Sequence, residues 1–337
     1  MNTEKPQSTK HSKTTNIAVW AIILLATLAC IAWILGSWFY QFDIVASQQM
    51  LLSVLVSIPL ILFLILRRYR ECAVLVVLLI VSISPIVSNR HLVLPHVDIN
   101  SKPKNSLRVI SLNIHPENES WDLVVQELLA YEADLIVLLE VPAELSRSIK
   151  DRGYLDSTPY SHWVRRPWID NLSSPCYMIS RWPIDAIPAP IDPAYPDLQL
   201  YRRLKLPGGD IAIGLAHPLS PRNSQRWDKG NLMIESQARA VKMINEQFDM
   251  PLIVAADLNA GPAQQRARSF RSVGLSMSKP LLRIGGSYPA NSPTPSVAMV
   301  HLDDVWTLGD IAPIAWDTFE VVGSDHRAVI VDLKIDD

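Results

Sequence analysis

Cysteine and charged residues are both scarce in this chain of 337 residues. Only three cysteines are present, at Cys30, Cys72 and Cys176, so the sequence excludes a scaffold held together by disulfide bonds. Charged residues make up 19% of the chain, whereas about a quarter is usual in globular proteins. Hydrophobic residues reach 49%, which excludes an intrinsically disordered chain.

The charges are also unevenly distributed along the chain. Residues 1–104 hold nine of the 31 Lys and Arg and four of the 33 Asp and Glu, which leaves 22 basic and 29 acidic residues for 105–337. The C-terminal part therefore carries a net charge of −7, although the whole chain carries only −2. Such a domain is not a general binder of duplex nucleic acid, because that affinity comes mainly from Lys and Arg.

Three long apolar segments account for most of the hydrophobic excess. They predict transmembrane helices over about residues 17–38, 48–66 and 72–88, after a cytoplasmic tail of residues 1–16. The alternative is a cleaved signal peptide followed by a buried hairpin. It is less favoured, because the first apolar run is too long for a signal peptide and no small-residue cleavage site follows it.

The positions of Lys and Arg predict how these segments are oriented. The N-terminal tail and the turn at residues 67–70 are basic, whereas residues 41–49 contain neither Lys nor Arg. Basic loops favour the cytoplasmic side. We therefore expect a multi-pass protein of the inner membrane with everything after residue 90 outside the cytoplasm. A few basic residues just after the third segment argue weakly for the opposite orientation.

The rest of the chain suits a linker and one large domain. Residues 89–106 contain Pro95 and Pro103 among polar residues and are predicted to be the linker. Residues 107–337 have the length of a single large domain. Because Cys176 is the only cysteine in this part, the domain must be stabilised by its apolar core and not by an internal disulfide.

Polar residues mark the ends of several predicted strands in this domain. The apolar runs 107–112, 135–139, 211–216 and 252–256 stop at Asn113, Glu140, His217 and Asp257, while Asp325 and His326 precede the run 328–333. Between the first two runs, Ser120 is a candidate N-cap for an amphipathic helix that begins at Trp121. Chemistry usually lies in loops at strand ends, where a rigid sheet holds them. We therefore expect these polar side chains to lie together along one sheet edge.

The residue types at these positions favour metal-assisted hydrolysis. They include no cysteine nucleophile and no zinc-type spacing of Cys and His, and Ser324 lacks the sequence context of a nucleophilic serine. Carboxylate and amide oxygens suit Mg²⁺, Mn²⁺ or Ca²⁺ better than zinc, and histidines exchange protons near neutral pH. Each residue taken alone could be an ordinary turn-former, so the prediction depends on their joint occurrence.

The motifs around these residues resemble the endonuclease/exonuclease/phosphatase superfamily. They are VISLN at Asn113, DLIVLLE at Glu140, GLAHPLSP at His217, IVAADLNAGP at Asp257 and Asn259, VHLDDVW at Asp303, and GSDHRAVIVDL at Asp325 and His326. The resemblance covers about residues 107–334. It implies a four-layer α/β/β/α sandwich of the DNase I type, here preceded by three transmembrane helices as in a bacterial membrane-anchored branch of the superfamily.

The same resemblance implies a divalent metal, Mg²⁺ or Mn²⁺, and its ligands. Glu140 would ligate the metal, with Asn113 and Asp325 completing or orienting the ligand shell. No other cofactor is implied.

The resemblance also implies the roles of the catalytic residues. Asp257 would orient and deprotonate the attacking water, and Asn259 would donate a hydrogen bond to the scissile phosphate. His326 would contact the phosphate and be oriented by Asp303. His217 would be a second contact to the phosphate or the leaving group.

Two adjacent aspartates follow Leu302, and only one of them has the position of the family's aspartate. Asp303 is in phase with the motif. Asp304 would then point to the opposite face of a strand, where we expect it to be exposed to solvent beside an Arg.

These inferences favour a membrane-anchored, metal-dependent phosphoesterase that acts on a phosphodiester or a phosphomonoester. A phospholipid headgroup or nucleic acid outside the cell is the expected substrate, the lipid bilayer is the expected partner, and no protein partner is predicted. Local clusters of arginine either bind the substrate or form ordinary solvated surface. They lie at 165–166 and at 222 and 226, both beside tryptophans, and at 202–203. The alternatives are an anchored nuclease acting on DNA or RNA and a catalytically silent binding module.

Overall fold

The computed structural model describes residues 10–84, 91–142, 144–145, 160–164, 176–187 and 196–335. It divides the chain into two compact units, residues 1–85 and residues 86–337.

The first unit is helical. Its helices are Lys10–Leu35 (α1), Tyr40–Ala46 (α2), Gln49–Ile65 (α3) and Tyr69–Ile83 (α4). A small apolar core joins α1, α3 and α4, while many other large apolar side chains of these helices are exposed. Within the described residues, no helix has the length and apolar character needed to cross a membrane. The prediction of three membrane spans is therefore not supported.

The second unit contains two mixed sheets with six strands each in its described part. In chain order the strands are Ser106–Asn113 (β1), Leu135–Leu139 (β2), Tyr160–Val164 (β3), Cys176–Ser180 (β4), Ile184–Ala186 (β5), Tyr201–Leu206 (β6), Gly209–Ala216 (β7), Leu252–Asp257 (β8), Ser276–Met277 (β9), Asp303–Leu308 (β10), Ile311–Phe319 (β11) and Ala328–Ile335 (β12). The first sheet has the order β11-β12-β1-β2-β4-β3 and the second β5-β6-β7-β8-β10-β9.

Helices flank the two sheets. They are Trp121–Ala130 (α5), Ser224–Phe248 (α6) and Gln265–Ser272 (α7), with short 3₁₀ turns at Pro196–Leu200 and Ser296–Ala298. All five strands predicted from apolar runs are present, and the predicted helix begins at Trp121. Ser120 occupies the N-cap position, but its side chain makes no capping hydrogen bond.

Two apolar clusters hold these layers together. The larger cluster joins Val109 and Val137 of the first sheet with Leu215 and Val254 of the second, and it includes residues of α6 and α7. The other packs α5 on the first sheet, through residues such as Val124. Two mixed sheets with flanking helices are consistent with the DNase I-like α/β fold that the resemblance implies.

The segment predicted as a linker packs against the second unit in its described part. Leu94 and Val97 are buried. The Trp316 amide donates to the Pro95 carbonyl at 3.1 Å, and the Leu281 amide donates to the His91 carbonyl at 3.1 Å. Residues 91–105 lack a helix or strand of their own, yet they contribute apolar contacts and backbone hydrogen bonds to the domain.

A buried ion pair joins two central strands of the first sheet. Arg108 on β1 is 0% exposed, and its Nε and Nη2 donate to the two carboxylate oxygens of Asp332 on β12 at 2.7 and 2.9 Å. Nη2 also donates to the Asp98 carbonyl at 2.9 Å, so this guanidinium links the 91–105 segment to the sheet. A buried charge is tolerated only while it is paired and hydrogen-bonded.

We expect Asp332→Asn to lower the free energy of unfolding by about 3–5 kcal/mol, because it leaves a buried guanidinium without its counter-charge. Urea denaturation followed by tryptophan fluorescence measures the change. Asp185→Asn is the matched control, since Asp185 pairs with Lys205 at the surface and exposed pairs contribute little. Equal effects of the two variants would contradict the prediction.

Candidate active site

The predicted polar residues meet between the ends of two sheets, and not along one sheet edge. Asn113 and Glu140 follow the parallel strands β1 and β2 of the first sheet, whereas His217 and Asp257 lie at the ends of the parallel strands β7 and β8 of the second. The Asn113 Nδ2 atom donates to Asp257 Oδ2 at 3.0 Å and so joins the two sheets. The expectation of a single edge was wrong because apolar runs do not show which strands share a sheet.

Asp257 lies at the centre of this group. Its side chain is buried and accepts hydrogen bonds from Asn113 Nδ2 and from the Asn259 amide, the latter at 2.8 Å. His217 Nε2 lies 3.6 Å from Asp257 Oδ2. Two hydrogen-bond donors therefore hold this buried carboxylate in one orientation, and the His217 imidazole lies just beyond hydrogen-bond distance.

His217 lies between Asp257 and a second carboxylate. Its Nε2 is 3.3 Å from Glu140 Oε1. The Glu140 side chain is 29% exposed, and its backbone has φ 53°. Asn259 also lies in the left-handed region, with φ 49°, and its Nδ2 donates to the Pro218 carbonyl at 3.2 Å. Such backbone geometry in residues other than glycine is uncommon and is concentrated at functional sites.

A histidine–aspartate pair completes the group. His326 Nδ1 lies 2.7 Å from Asp303 Oδ2 and 3.9 Å from Asp257 Oδ2, and the Tyr288 ring packs against the imidazole with a centroid distance of 5.0 Å. Burial alone would favour the neutral imidazole, but the carboxylates of Asp303, Asp257 and Asp325 outweigh it and raise the pKa of His326 to about 10. The ring therefore carries a positive charge at neutral pH.

Two serines that the sequence reasoning did not assign hold the backbone of this site. The Ser324 hydroxyl donates to the Asn113 carbonyl at 2.6 Å and accepts from the His326 amide at 3.0 Å. The Ser287 hydroxyl accepts from the amides of Leu302 and Asp303, both at 3.0 Å. The only sequence signal was the position of Ser324 beside Asp325 and His326, and that serine was considered there only as a nucleophile.

Asp304 is not exposed to solvent, which corrects the expectation. It is 1% exposed, its Oδ1 accepts from Trp316 Nε1 at 3.2 Å, and its Oδ2 accepts from the Lys279 amide at 3.1 Å. Burial lowers the pKa of Lys279 to about 8, although Asp304 partly opposes this. Asp304 points away from the site, as expected for the residue after Asp303, but the face it points to is covered by the first sheet through Trp316.

The donor set fits a hard divalent cation. The carboxylate of Glu140 and the amide of Asn113 supply oxygen donors. The carboxylate of Asp325 is a third oxygen donor, and it lies near enough to His326 to help raise the pKa of that imidazole. Mg²⁺ prefers such oxygen ligands. The Glu140 side chain is partly exposed, which leaves its carboxylate accessible to an ion.

A second group of potential ligands surrounds His326. One ligand atom each of Asp257, Asp303 and His326 lies within 4.8 Å of the others. However, His326 Nδ1 is already hydrogen-bonded to Asp303, and imidazole is a poorer partner for Mg²⁺ than oxygen. These three residues therefore form a histidine–aspartate pair with a second carboxylate beside it.

The arginine clusters have local partners where the structure describes them. Arg203 lies within 3.6 Å of Asp185 and 3.5 Å of Asp210, and Arg226 Nε donates to the Ser220 carbonyl at 3.0 Å. These contacts favour the interpretation of ordinary surface for both. The cluster at 165–166 lies outside the described residues.

Comparison with known families explains why these residues converge. Residues 118–326 match the profile of the "Endonuclease/Exonuclease/phosphatase family". The chain belongs to this family. It is a phosphoester hydrolase, and enzymes of its family use Mg²⁺.

Solved structures agree on the fold. An endonuclease/exonuclease/phosphatase from Bacteroides vulgatus matches with a TM-score of 0.53 and 13% identity, over 69% of this chain and 100% of that one. The catalytic domain of human Nocturnin with a bound sulfate anion matches with a TM-score of 0.51 and 17% identity, over 69% and 94%. Sequence comparison with curated proteins finds no match.

The charge of His326 predicts how stability depends on pH. Its pKa is raised from 6.5 to about 10, so its contribution to the free energy of unfolding is complete below pH 6.5 and is lost as the pH rises through 10. We expect the free energy of unfolding of the Asp303→Asn variant to fall less steeply between pH 7 and 10 than that of the wild type. Urea denaturation of the metal-free protein measures the slope, with Asp310→Asn, an exposed substitution, as the control. An imidazole of His326 that titrates near pH 6.5 in NMR would contradict the prediction.

Proposed function

We propose that this family member hydrolyses a phosphate ester with a water molecule that Asp257 activates. The observation that supports this most directly is the group around Asp257, in which Asn113 and the Asn259 amide bond the carboxylate while His217 and the His326–Asp303 pair lie beside it. A base, amide and imidazole donors and an oxygen-rich metal site within one group suit attack on phosphorus. A silent binding module would not require a buried carboxylate base beside these donors.

Asp257 is proposed to be the general base. A base must be held in one orientation with an oxygen near the attacking water. Hydrogen bonds from Asn113 Nδ2 to Oδ2 and from the Asn259 amide to Oδ1 fix both ends of this carboxylate. The proton of the water would pass to Asp257.

His326 and Asn259 are proposed to stabilise the charge that builds up on the phosphoryl oxygens. A preorganised cation and an amide donor are effective because they need no rearrangement during the reaction. Asp303 holds His326 Nδ1 at 2.7 Å, which leaves Nε2–H of the charged ring to donate to the phosphate. His217 is proposed to contact the phosphate or the leaving group from the side of Glu140.

Glu140, with Asn113 and Asp325, is proposed to hold the divalent cation. When bound, Mg²⁺ supplies Lewis-acid polarisation of a phosphoryl oxygen and offsets its negative charge. Asn113 would then serve two purposes. Its amide oxygen, which accepts from the His115 amide at 3.2 Å, would ligate the ion, and its nitrogen orients Asp257.

The proposed substrate is a phospholipid headgroup or a short single strand of nucleic acid. The net charge of −7 on residues 105–337 opposes binding of duplex DNA. The test compares the rates at which the enzyme hydrolyses phospholipid vesicles, single-stranded DNA, double-stranded DNA and RNA in the presence of Mg²⁺. No turnover of any of them, nor of bis-p-nitrophenyl phosphate, would favour the silent module.

Asp257→Asn is expected to lower kcat on bis-p-nitrophenyl phosphate by about a hundredfold or more, because it removes the proton acceptor. Steady-state kinetics with saturating Mg²⁺ measure the effect. Asp310→Asn should retain wild-type activity. Full activity of the Asp257 variant would disprove the assigned base.

Glu140→Gln is expected to raise the Mg²⁺ concentration for half-maximal activity by about ten- to hundredfold, since an amide is a weaker ligand than a carboxylate. Activity is measured over a range of Mg²⁺ concentrations. Glu119→Gln changes an exposed residue nearby in the sequence and is the control. An unchanged requirement for Mg²⁺ would remove Glu140 from the ligand set.

We also propose that the helical unit attaches the enzyme to the inner membrane, with the catalytic domain on the extracytoplasmic side. Support comes from exposed apolar side chains such as Trp20, Leu25 and Ile65 and from the basic residues that flank the apolar segments. Attachment should resist carbonate extraction, and alkaline phosphatase fused after residue 337 should be active. An alkaline phosphatase fusion that is produced but inactive would contradict this orientation, because the disulfides of the reporter form only outside the cytoplasm.

A further inference from the structure

Arg266 is buried directly behind the two loops that carry His217 and Asn259. It is the second residue of α7 and is 1% exposed. Its Nη1 donates to the Leu258 carbonyl at 2.8 Å and lies 3.5 Å from the Asn259 carbonyl. Its Nη2 donates to the Leu219 carbonyl at 2.9 Å. One guanidinium therefore bonds the backbone of both loops.

The sheet explains why these loops need a common donor. Strands β7 and β8 are parallel neighbours with Ala216 opposite Ala256, so the loops after them leave the sheet side by side. Buried backbone carbonyls require donors, and the planar fork of arginine can serve two chains at once, which an ammonium group does less well. The bond from Asn259 Nδ2 to the Pro218 carbonyl runs between the same two loops.

Two residues of helix α6 also fix the position of this guanidinium. Asn231 Oδ1 accepts from Arg266 Nε at 3.1 Å. A Cβ atom on Gly230 would lie 2.2 Å from Arg266 Nη2 and 3.0 Å from the Leu219 carbonyl oxygen. Gly230 therefore leaves space for the guanidinium in the middle of a 25-residue helix, where glycine is otherwise unfavourable.

We propose that Arg266 is a positioning residue that fixes the His217 loop relative to the Asn259 loop, so that both side chains reach one phosphate. This proposal rests on the phosphate-binding roles proposed above for His217 and Asn259. The partners of Arg266 in the loops are backbone carbonyls. Arg266 therefore acts through His217 and Asn259, the side chains that these loops carry. Glu140 lies on the other sheet, and its affinity for Mg²⁺ should not depend on Arg266.

The test compares Arg266→Lys with Gly230→Ala, which displaces the guanidinium without removing it. We expect both to lower kcat on bis-p-nitrophenyl phosphate about tenfold or more, with an unchanged Mg²⁺ concentration for half-maximal activity. Arg268→Lys is the matched control, because Arg268 lies on the same helix but donates to the Ala263 carbonyl near the end of the Asn259 loop, and not to the backbone of Leu219, Leu258 or Asn259. Its kcat should stay within twofold of wild type.

A second control separates positioning from loss of stability. Phe270→Leu weakens the core on the same helix, where Phe270 packs against Trp306. If Arg266→Lys lowers kcat no more than Phe270→Leu does at an equal fall in Tm, the positioning role is wrong. A similar fall in kcat for Arg268→Lys would also overturn it.

Amide hydrogen exchange tests the proposal independently of catalysis. Arg266→Lys should speed exchange in residues 219–221 and 258–261 more than Phe270→Leu does, and equal exchange would overturn the proposal. Absence of wild-type turnover would count against the proposed function alone, and the exchange result would still decide the role of Arg266.

Discussion

The structure of the site depends on how two buried aspartates are kept next to each other. Asp257 ends β8 and Asp303 begins β10, and the antiparallel register places them opposite one another. Two buried carboxylates on neighbouring strands repel each other and lose their hydration, so they require a compensating charge. His326 supplies it, with Nδ1 at 2.7 Å from Asp303 and 3.9 Å from Asp257. The same arrangement raises the pKa of His326 and so favours the charged imidazole, which is the state that the proposed contact with phosphate requires.

The other contacts of the site hold this group in place. Ser324 joins the His326 loop to β1, and Ser287 joins the start of β10 to the loop that carries Tyr288. Asn113 connects the first sheet to Asp257. These bonds begin on different strands and cross between sheets, so the rigidity of the site derives from the packing of the whole domain. The net acidity of the domain does not prevent anion binding, because the positive groups are local and buried.

The sequence predicted five of the twelve described strands, and the polar residues that it singled out at their ends include those that the structure brings together around Asp257. It could do so because a buried strand is a run of apolar residues, and its end is visible where that run stops. The same reasoning failed for Asp304, since alternation along a strand shows which residues face away from each other but not what covers each face. Arg266 was not found because its partners are backbone carbonyls, which leave no pattern in the residue types.

The sequence by itself determined the division into an apolar N-terminal part and an acidic α/β domain, and it identified Asn113, Glu140, His217, Asp257, Asn259, Asp303, Asp325 and His326 as candidates. These properties depend on residue type and on the order of neighbouring residues, and both can be read from the sequence. Only the tertiary structure decided that the candidates are divided between two sheets and that Asp257 and Asp303 lie opposite each other. Those outcomes depend on strand register and sheet packing, which bring together atoms far apart in the sequence.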